Sequence, residues 1–258
     1  VDILPVMKEF LIATPGLLGD AIDELDHVWN DLSLDLPRLE SSNKYDCARD
    51  SRMTNHRGAT TALKIGVLAL QGDFDAHRRR LEELGAEVVM VKKPEQFDEI
   101  DGLVIPGGES GTFLKLLGEE GFEKLKEFVR IKPTFGTCAG AILLATEVQN
   151  PKQAGLGAID IGIRRNAYGR QLDSSIREGK LLSPTNGRPS HSPLEMVFIR
   201  APRIERVGAA VEILATEGKD PVAVRQGRVM AATFHPELSE DTRVHQMFLD
   251  LVLNGGSL

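Results

Sequence analysis

Cys138 offers the clearest chemistry in the chain. It lies in PTFGTCAGAILL (133–144), which reads as a short buried strand (Thr134, Phe135), a tight turn through GTCAG, and a helix starting at Ala141. A cysteine on such a turn projects from the carboxyl edge of a parallel sheet. It also sits at a helix N-terminus, where unpaired N–H groups and the helix dipole favour thiolate over thiol. Gly136 and Gly140 suit the turn because they tolerate strained dihedrals and let helix and strand approach closely. This is the elbow better known with serine, here carrying sulfur. The plainer reading is a buried structural cysteine among small residues.

Two further stretches supply what a sulfur nucleophile needs. VMAATF (229–234) reads as a strand running into His235-Pro236-Glu237. Residues two apart in an extended segment share a side, so Glu237 can orient His235 and stabilise its charged form, and the imidazole can deprotonate a thiol. PGGES (106–110) follows the apolar run Leu103-Val104-Ile105. Two consecutive glycines let backbone N–H groups face a ligand, which suits the oxyanion formed when a carbonyl is attacked. A phosphate cradle is the rival, but the Walker lysine pattern is absent. Taken singly, HPE reads as a strand end with a surface charge and PGGES as a glycine turn. Paired with a cysteine elbow in one α/β domain, they favour catalysis.

The elements that must position these residues follow from apolar spacing. Continuous or alternating runs at 65–70, 87–91, 103–105 and 134–135 read as strands. Between them lie a helix carrying Phe74, Ala76, Leu81 and Leu84 that stops at Gly85, a short helical connection at 94–100, and helical patterns at 112–117 and 122–129. This alternation predicts an α/β fold: a doubly wound, mainly parallel sheet with helices on both faces. Ligands in such sheets bind outside the carboxyl ends of strands, where PGGES and GTCAG both fall. The second half is strand-rich, with runs at 159–164, 196–199, 210–214, 222–224 and 229–234 before a last amphipathic helix at 242–252. Residues 177–193, rich in Pro, Ser and Gly, predict a mobile surface loop.

Composition narrows the function classes. A net charge of -7 without a long Lys/Arg run argues against a nucleic-acid binder, and Arg78-Arg79-Arg80 followed by Glu82-Glu83 reads as a solvated helix face. Two cysteines cannot build a disulfide framework, so a reducing, cytoplasmic setting is expected, and no apolar run is long enough to span a membrane. No metal-ligand cluster is evident, and Cys47 has no partner at ligand spacing. Residues 1–62 differ in character: a helical pattern at 17–32 that includes Trp29, then a polar stretch. They are expected to be an N-terminal extension, poorly ordered or not native, with Met53 a plausible true start and a docking arm the alternative; residues 63–258 form the catalytic domain.

PGGES, GTCAG and FHPE in this order resemble the class I, triad-type glutamine amidotransferases. More narrowly, IGVLALQG (65–72), PGGES, GTCAGAILLA (136–145), RRNAYGRQ (164–171), FIRAP (198–202) and FHPEL (234–238) resemble the glutaminase subunit of pyridoxal 5′-phosphate synthase. The resemblance implies Cys138 as nucleophile, His235 as general base and then acid, and Glu237 as orienting carboxylate. It implies an oxyanion hole from the backbone N–H groups of Gly108 and Ala139, and L-glutamine held by Gly108, Glu109, Ser110, Arg165, Ile199 and Arg200. An arginine and a glutamate are natural partners for an α-carboxylate and an α-ammonium. Without the resemblance, Arg165 and Arg200 read as ordinary strand-end charges.

The activity implied is hydrolysis of glutamine to glutamate and ammonia, with no metal or organic cofactor. The partner implied is a synthase subunit in a hetero-oligomer, which combines the ammonia with ribose 5-phosphate and glyceraldehyde 3-phosphate. Two departures from the family pattern bear on docking: Gly111-Thr112 replaces a Thr pair after PGGES, which predicts a looser helix start, and the 177–193 loop is long. Three alternatives remain at this point. A glutaminase feeding another synthase should lack RNAYGRQ and FIRAP. A cysteine hydrolase of the same broad fold should lack HPE together with PGGES. A silent regulatory subunit has no chemical reason to retain Cys138, His235 and Glu237.

Overall fold

Apolar residues alternate in the first strands because both faces of the sheet are covered. Ile65 and Val67 of β1 (Lys64–Leu68) point into one core while Leu68 points into the other. In β3 (Gly102–Ile105), Val104 joins the first core, and Leu103 and Ile105 the second. The computed structural model describes residues 62–165, 167, 174–182 and 192–255. The expected helix at 17–32, Trp29, Cys47 and Met53 lie outside the described residues, as do 168–173 and 183–191.

Five strands form the parallel part, in the order β2 (Glu87–Val91), β1, β3, β4 (Thr134–Thr137) and β12 (Val229–Ala232). The same sheet continues antiparallel through β11 (Asp220–Gln226), β10 (Glu212–Glu217), β7 (Ser175–Leu181) and β8 (Leu194–Phe198). A second, three-stranded sheet joins β5 (Ala145–Gln149), β6 (Ile159–Arg164) and β9 (Arg203–Val207). Helices cover both faces of the large sheet, as expected. α1 (Phe74–Glu83) and α4 (Arg243–Leu253) pack on one side, α2 (Ser110–Ile131) and α3 (Ala139–Leu144) on the other.

Local details follow the sequence closely. α1 ends at Gly85, whose φ of 86° suits glycine. Its outer face is laced by pairs of Arg78 and Arg79 with Asp75 and of Arg80 with Glu83, so the arginine cluster is a solvated face. The two helical patterns expected at 112–117 and 122–129 form one run, broken at Gly118, where φ is 64° and ψ −175°.

Three expectations in the second half are corrected. Residues 177–181 were expected in a loop but lie in β7, where REGKL has polar side chains on the outward positions of a hairpin with β8. The strand at 210–214 sits later, as β10, because a turn closed by Val211 N–H donating to Gly208 O occupies 208–211. Strands β5 and β9 were not anticipated, since ATEVQ and RIERV expose charged residues and are short. Among the described residues no helix is long and apolar enough to cross a membrane.

Candidate active site

Strand register brings the chemical residues together. β4 and β12 are parallel neighbours, with Gly136 opposite Ala231 and Thr137 opposite Ala232. Cys138 is the first residue beyond β4 and His235 lies just beyond β12, so both leave the same edge of the sheet. The Cys138 N–H prolongs the pairing by donating to Ala232 O at 2.8 Å. The chain then turns sharply: Cys138 has φ 45° and ψ −99°, a conformation that costs a non-glycine residue about 1–3 kcal/mol. Two glycines make the turn possible. A Cβ on Gly140 would strike the carbonyl of Ile105, and one on Gly136 would strike the backbone of Gly140. The cysteine therefore sits on a strained strand-to-helix elbow held by close backbone approaches.

His235 is anchored through Nδ1 of its side chain and through its backbone. Its N–H donates to Val197 O on β8 at 2.8 Å, so the antiparallel half of the sheet curls until its last strand meets the end of β12. Its Nδ1 lies 2.8 Å from Glu237 Oε1, and both side chains are fully buried. With Nδ1 donating to the carboxylate, Nε2 is the ring nitrogen left for the Cys138 sulfur, which lies close enough to favour the charged ring. Burial works against a charged imidazole here. The Glu237 carboxylate and the sulfur outweigh it and lift His235 well above its ordinary value. Burial alone would raise Glu237; His77 and His235 instead hold it down, at about 2.

The PGGES loop backs onto this pair. A Cβ on Gly107 would run into the His235 ring and approach Cys138 Cβ, and Gly108 has φ 135°, accessible to glycine. Gln71 clamps the loop with a double amide contact: its Nε2 donates to Glu109 O at 2.9 Å and its Oε1 accepts from Glu109 N at 3.2 Å. Gln71 belongs to the IGVLALQG motif, which by itself gave that side chain no role. Ala139, the other expected oxyanion donor, opens α3, where the first N–H groups have no partner within the helix.

The six expected glutamine contacts are placed unequally. Glu109 caps α2, accepting from the N–H of Gly111 at 3.0 Å and of Thr112 at 2.6 Å, so the Gly-Thr departure leaves the helix start held. Partial burial pushes Glu109 up, but these donors, the Thr112 hydroxyl and Arg165 bring it below its usual range. Arg165 Nη2 donates to Glu109 Oε1 at 3.3 Å, which puts a guanidinium beside a carboxylate on a partly open surface. Ser110 is buried and donates to Gln153 Oε1 at 2.8 Å. Ile199 is buried with Val197 against Ile176 and Leu238, so the FIRAP segment packs on the turn that carries Glu237. Arg200, next along, has φ 45°, a second strained non-glycine position.

Behind the triad lies a layer that the motifs did not reveal. His77 Nε2 is 3.3 Å from Glu237 Oε2 and 3.1 Å from Thr137 Oγ1; its Nδ1 is 3.0 Å from His245 Nε2. All three are buried. The available signal was the four-residue step Asp73, His77, Leu81, which puts a polar pair on the inward face of α1. Asp73, His235 and Glu237 carry potential metal-ligand atoms within 4.8 Å of one another. These donors belong to the buried cluster just described, in which His235 Nδ1 and Glu237 Oε1 already bond to each other.

Comparison with known proteins agrees with this geometry. The profile of the SNO glutamine amidotransferase family matches residues 67–254. A pyridoxal 5′-phosphate synthase subunit PdxT from Koribacter versatilis is 65% identical over 195 residues, 76% of this chain and 98% of the relative. The protein of the same name from Solibacter usitatus is 52% identical over 187 residues, 72% of this chain and 97% of the relative. A solved structure described as a glutamine amidotransferase superposes with a TM-score of 0.66 at 44% identity, covering 73% of this chain and 98% of that one. With a family match that spans nearly the whole described region and an elbow cysteine set against a buried His–Glu pair, this chain belongs to the SNO glutamine amidotransferase family.

Proposed function

We propose that the chain is a glutaminase that hydrolyses L-glutamine to L-glutamate and ammonia, and that it supplies the ammonia to the synthase subunit of pyridoxal 5′-phosphate synthase for vitamin B6 biosynthesis. The observation that carries the chemistry is the meeting of Cys138, His235 and Glu237 at one sheet edge, where the buried imidazole is hydrogen-bonded to the carboxylate and lies beside the cysteine. The synthase assignment is supported by the PdxT relatives.

In this reading His235 takes the Cys138 proton and the sulfur attacks the side-chain amide carbon of glutamine. The oxyanion of the tetrahedral intermediate is held by the Gly108 and Ala139 N–H groups. Collapse breaks the C–N bond, and His235 gives its proton to the leaving nitrogen, releasing ammonia and a γ-glutamyl thioester. Water then attacks the thioester as His235 removes its proton, and that proton returns to sulfur as glutamate leaves. Glu237 stays ionised throughout and supports the imidazolium. The Glu109–Arg165 pair offers complementary charges to the α-ammonium and α-carboxylate of glutamine, and Arg200 adds a second cation. Ser110 and Ile199, buried through their side chains, serve through their backbone.

Residues 63–258 are the catalytic domain in this proposal, supported by the span of the family match, and 1–62 are an extension. The free Cys138 thiol suits a reducing, cytoplasmic compartment. The test is glutamate release from glutamine by the full chain, by Cys138→Ala and by residues 63–258 alone, each with and without the synthase subunit. The expected result is release that depends on Cys138, survives the trimming and rises with the synthase. Turnover by Cys138→Ala would remove the nucleophile; release indifferent to the synthase would remove the pathway.

A further inference from the structure

His77 is a buried imidazole that the reaction above does not use, yet it touches the one group that must stay ionised and aligned. Glu237 has two oxygens: Oε1 faces His235 Nδ1 at 2.8 Å and Oε2 faces His77 Nε2 at 3.3 Å. A lone pair on Nε2 would confront the carboxylate, so Nε2 carries the proton and directs it at Thr137 Oγ1, 3.1 Å away, with Glu237 Oε2 alongside at 3.3 Å. Nδ1 of His77 is then an acceptor, and His245 Nε2, 3.0 Å away, must be the donor. One arrangement of protons is consistent with the contacts from His245 through His77 to Thr137. His245 on α4 selects the His77 tautomer, and His77 on α1 fixes the rotation of the Glu237 carboxyl group.

We propose that His77 is a positioning residue of the glutaminase: a neutral imidazole that holds Glu237 Oε2 and so aims Oε1 at His235. The inference rests on the triad assignment above. The groups facing His77 are Glu237 and His235 from the β12 end, Thr137 from β4 and His245 from α4, with Asp73 one turn earlier on its own helix and Arg80 acting on His245. Burial lowers His77, with His235 adding to the effect and Glu237 opposing it, so the ring donates without carrying charge. A neutral donor suits this place, because a cation beside Glu237 would compete with the imidazolium of His235 for the same carboxylate.

Three substitutions separate positioning from packing. A glutamine amide nitrogen falls near Nε2 of a histidine, and an asparagine amide falls near Nδ1. His77→Gln therefore keeps a donor for Glu237, His77→Asn keeps only the contact with His245, and His77→Phe keeps the ring shape without either. Glutamate release is measured as a function of pH for the full chain with the synthase subunit, beside wild type and Cys138→Ala. The expected result is a loss in kcat of about tenfold or more for Asn and Phe with KM little changed. The acid limb of their profiles moves up in pH as Glu237 loses a donor, and Gln stays near wild type in both respects. Equal rates and equal acid limbs for Gln and Asn would overturn the proposal, and this comparison stands even if Phe does not fold. Turnover in Cys138→Ala would instead overturn the triad on which it rests.

Discussion

At the scale of single residues, the site works by making one histidine want its proton. His235 sits between two acceptors, the Glu237 carboxylate and the Cys138 sulfur, in a place where water cannot screen either. Glu237→Gln keeps the shape and removes the charge, so kcat should fall by about a thousandfold or more while the protein stays folded. Steady-state glutamate release and a thermal melt on the same sample check both halves; a rate near wild type would demote Glu237 to a structural partner. The meeting of Cys138, His235 and Glu237 was legible in the chain because each lies in a short motif whose neighbours are dictated by backbone geometry. His77 and His245 were not legible, because a single histidine on an amphipathic helix has no local neighbour that betrays its partner. Their chemistry exists only once α1 and α4 meet on the sheet.

At the scale of elements, the elbow depends on how closely α3 can lie against β3 and β4. Gly140 faces the Ile105 carbonyl with no room for a methyl group, and the obstacle is backbone rather than a flexible side chain. Gly140→Ala should therefore cost about 3 kcal/mol in denaturant unfolding and displace the nucleophile, lowering kcat as well. Gly118→Ala makes a useful contrast: open space surrounds that position, so what resists is its own backbone setting of φ 64° and ψ −175°, nearly exclusive to glycine and worth about 1–3 kcal/mol, with no displacement of Cys138. Elements with continuous apolar runs, such as β1, β2 and β12, were readable from the sequence alone. Strands β5, β7 and β9 were not, because their partners supply the burial that their own residues do not announce. In β7 the exposed Glu178 and Lys180 alternate with the buried Gly179 and Leu181, a pattern easily taken for loop beside so many Pro and Ser.

At the scale of the whole molecule, the buried histidines set a limit on acid stability. Burial, His77 and Arg80 together lower His245 to about 3 although Glu237 opposes them, and His77 is lowered as well. The unfolded chain binds those protons near the ordinary histidine value and the folded chain does not. The share of stability that His77 and His245 contribute is thus full above about pH 6.5 and drains as pH falls toward 3. Glu237 adds its own loss further down, between the usual carboxylate range and about 2. His245→Gln keeps a donor for His77 and removes one titration, so it should recover about 3 kcal/mol relative to wild type near pH 4 while changing little at pH 8. Melting temperatures of both proteins across that range test this; parallel curves would refute it.

The pairing of β4 with β12 also decides what kinds of sequence change the enzyme can survive. The proposed nucleophile and base are counted off from adjacent strands, and a strand can slip only by whole residues, each about 3.3 Å and each turning the side chain to the opposite face. No intermediate setting exists. A single-residue insertion or deletion inside either strand removes the reaction outright, whereas the same change in the connection between β10 and β11 leaves the count untouched. Length variation in this lineage should therefore pile up in the hairpins and vanish from the two strands that keep the tally.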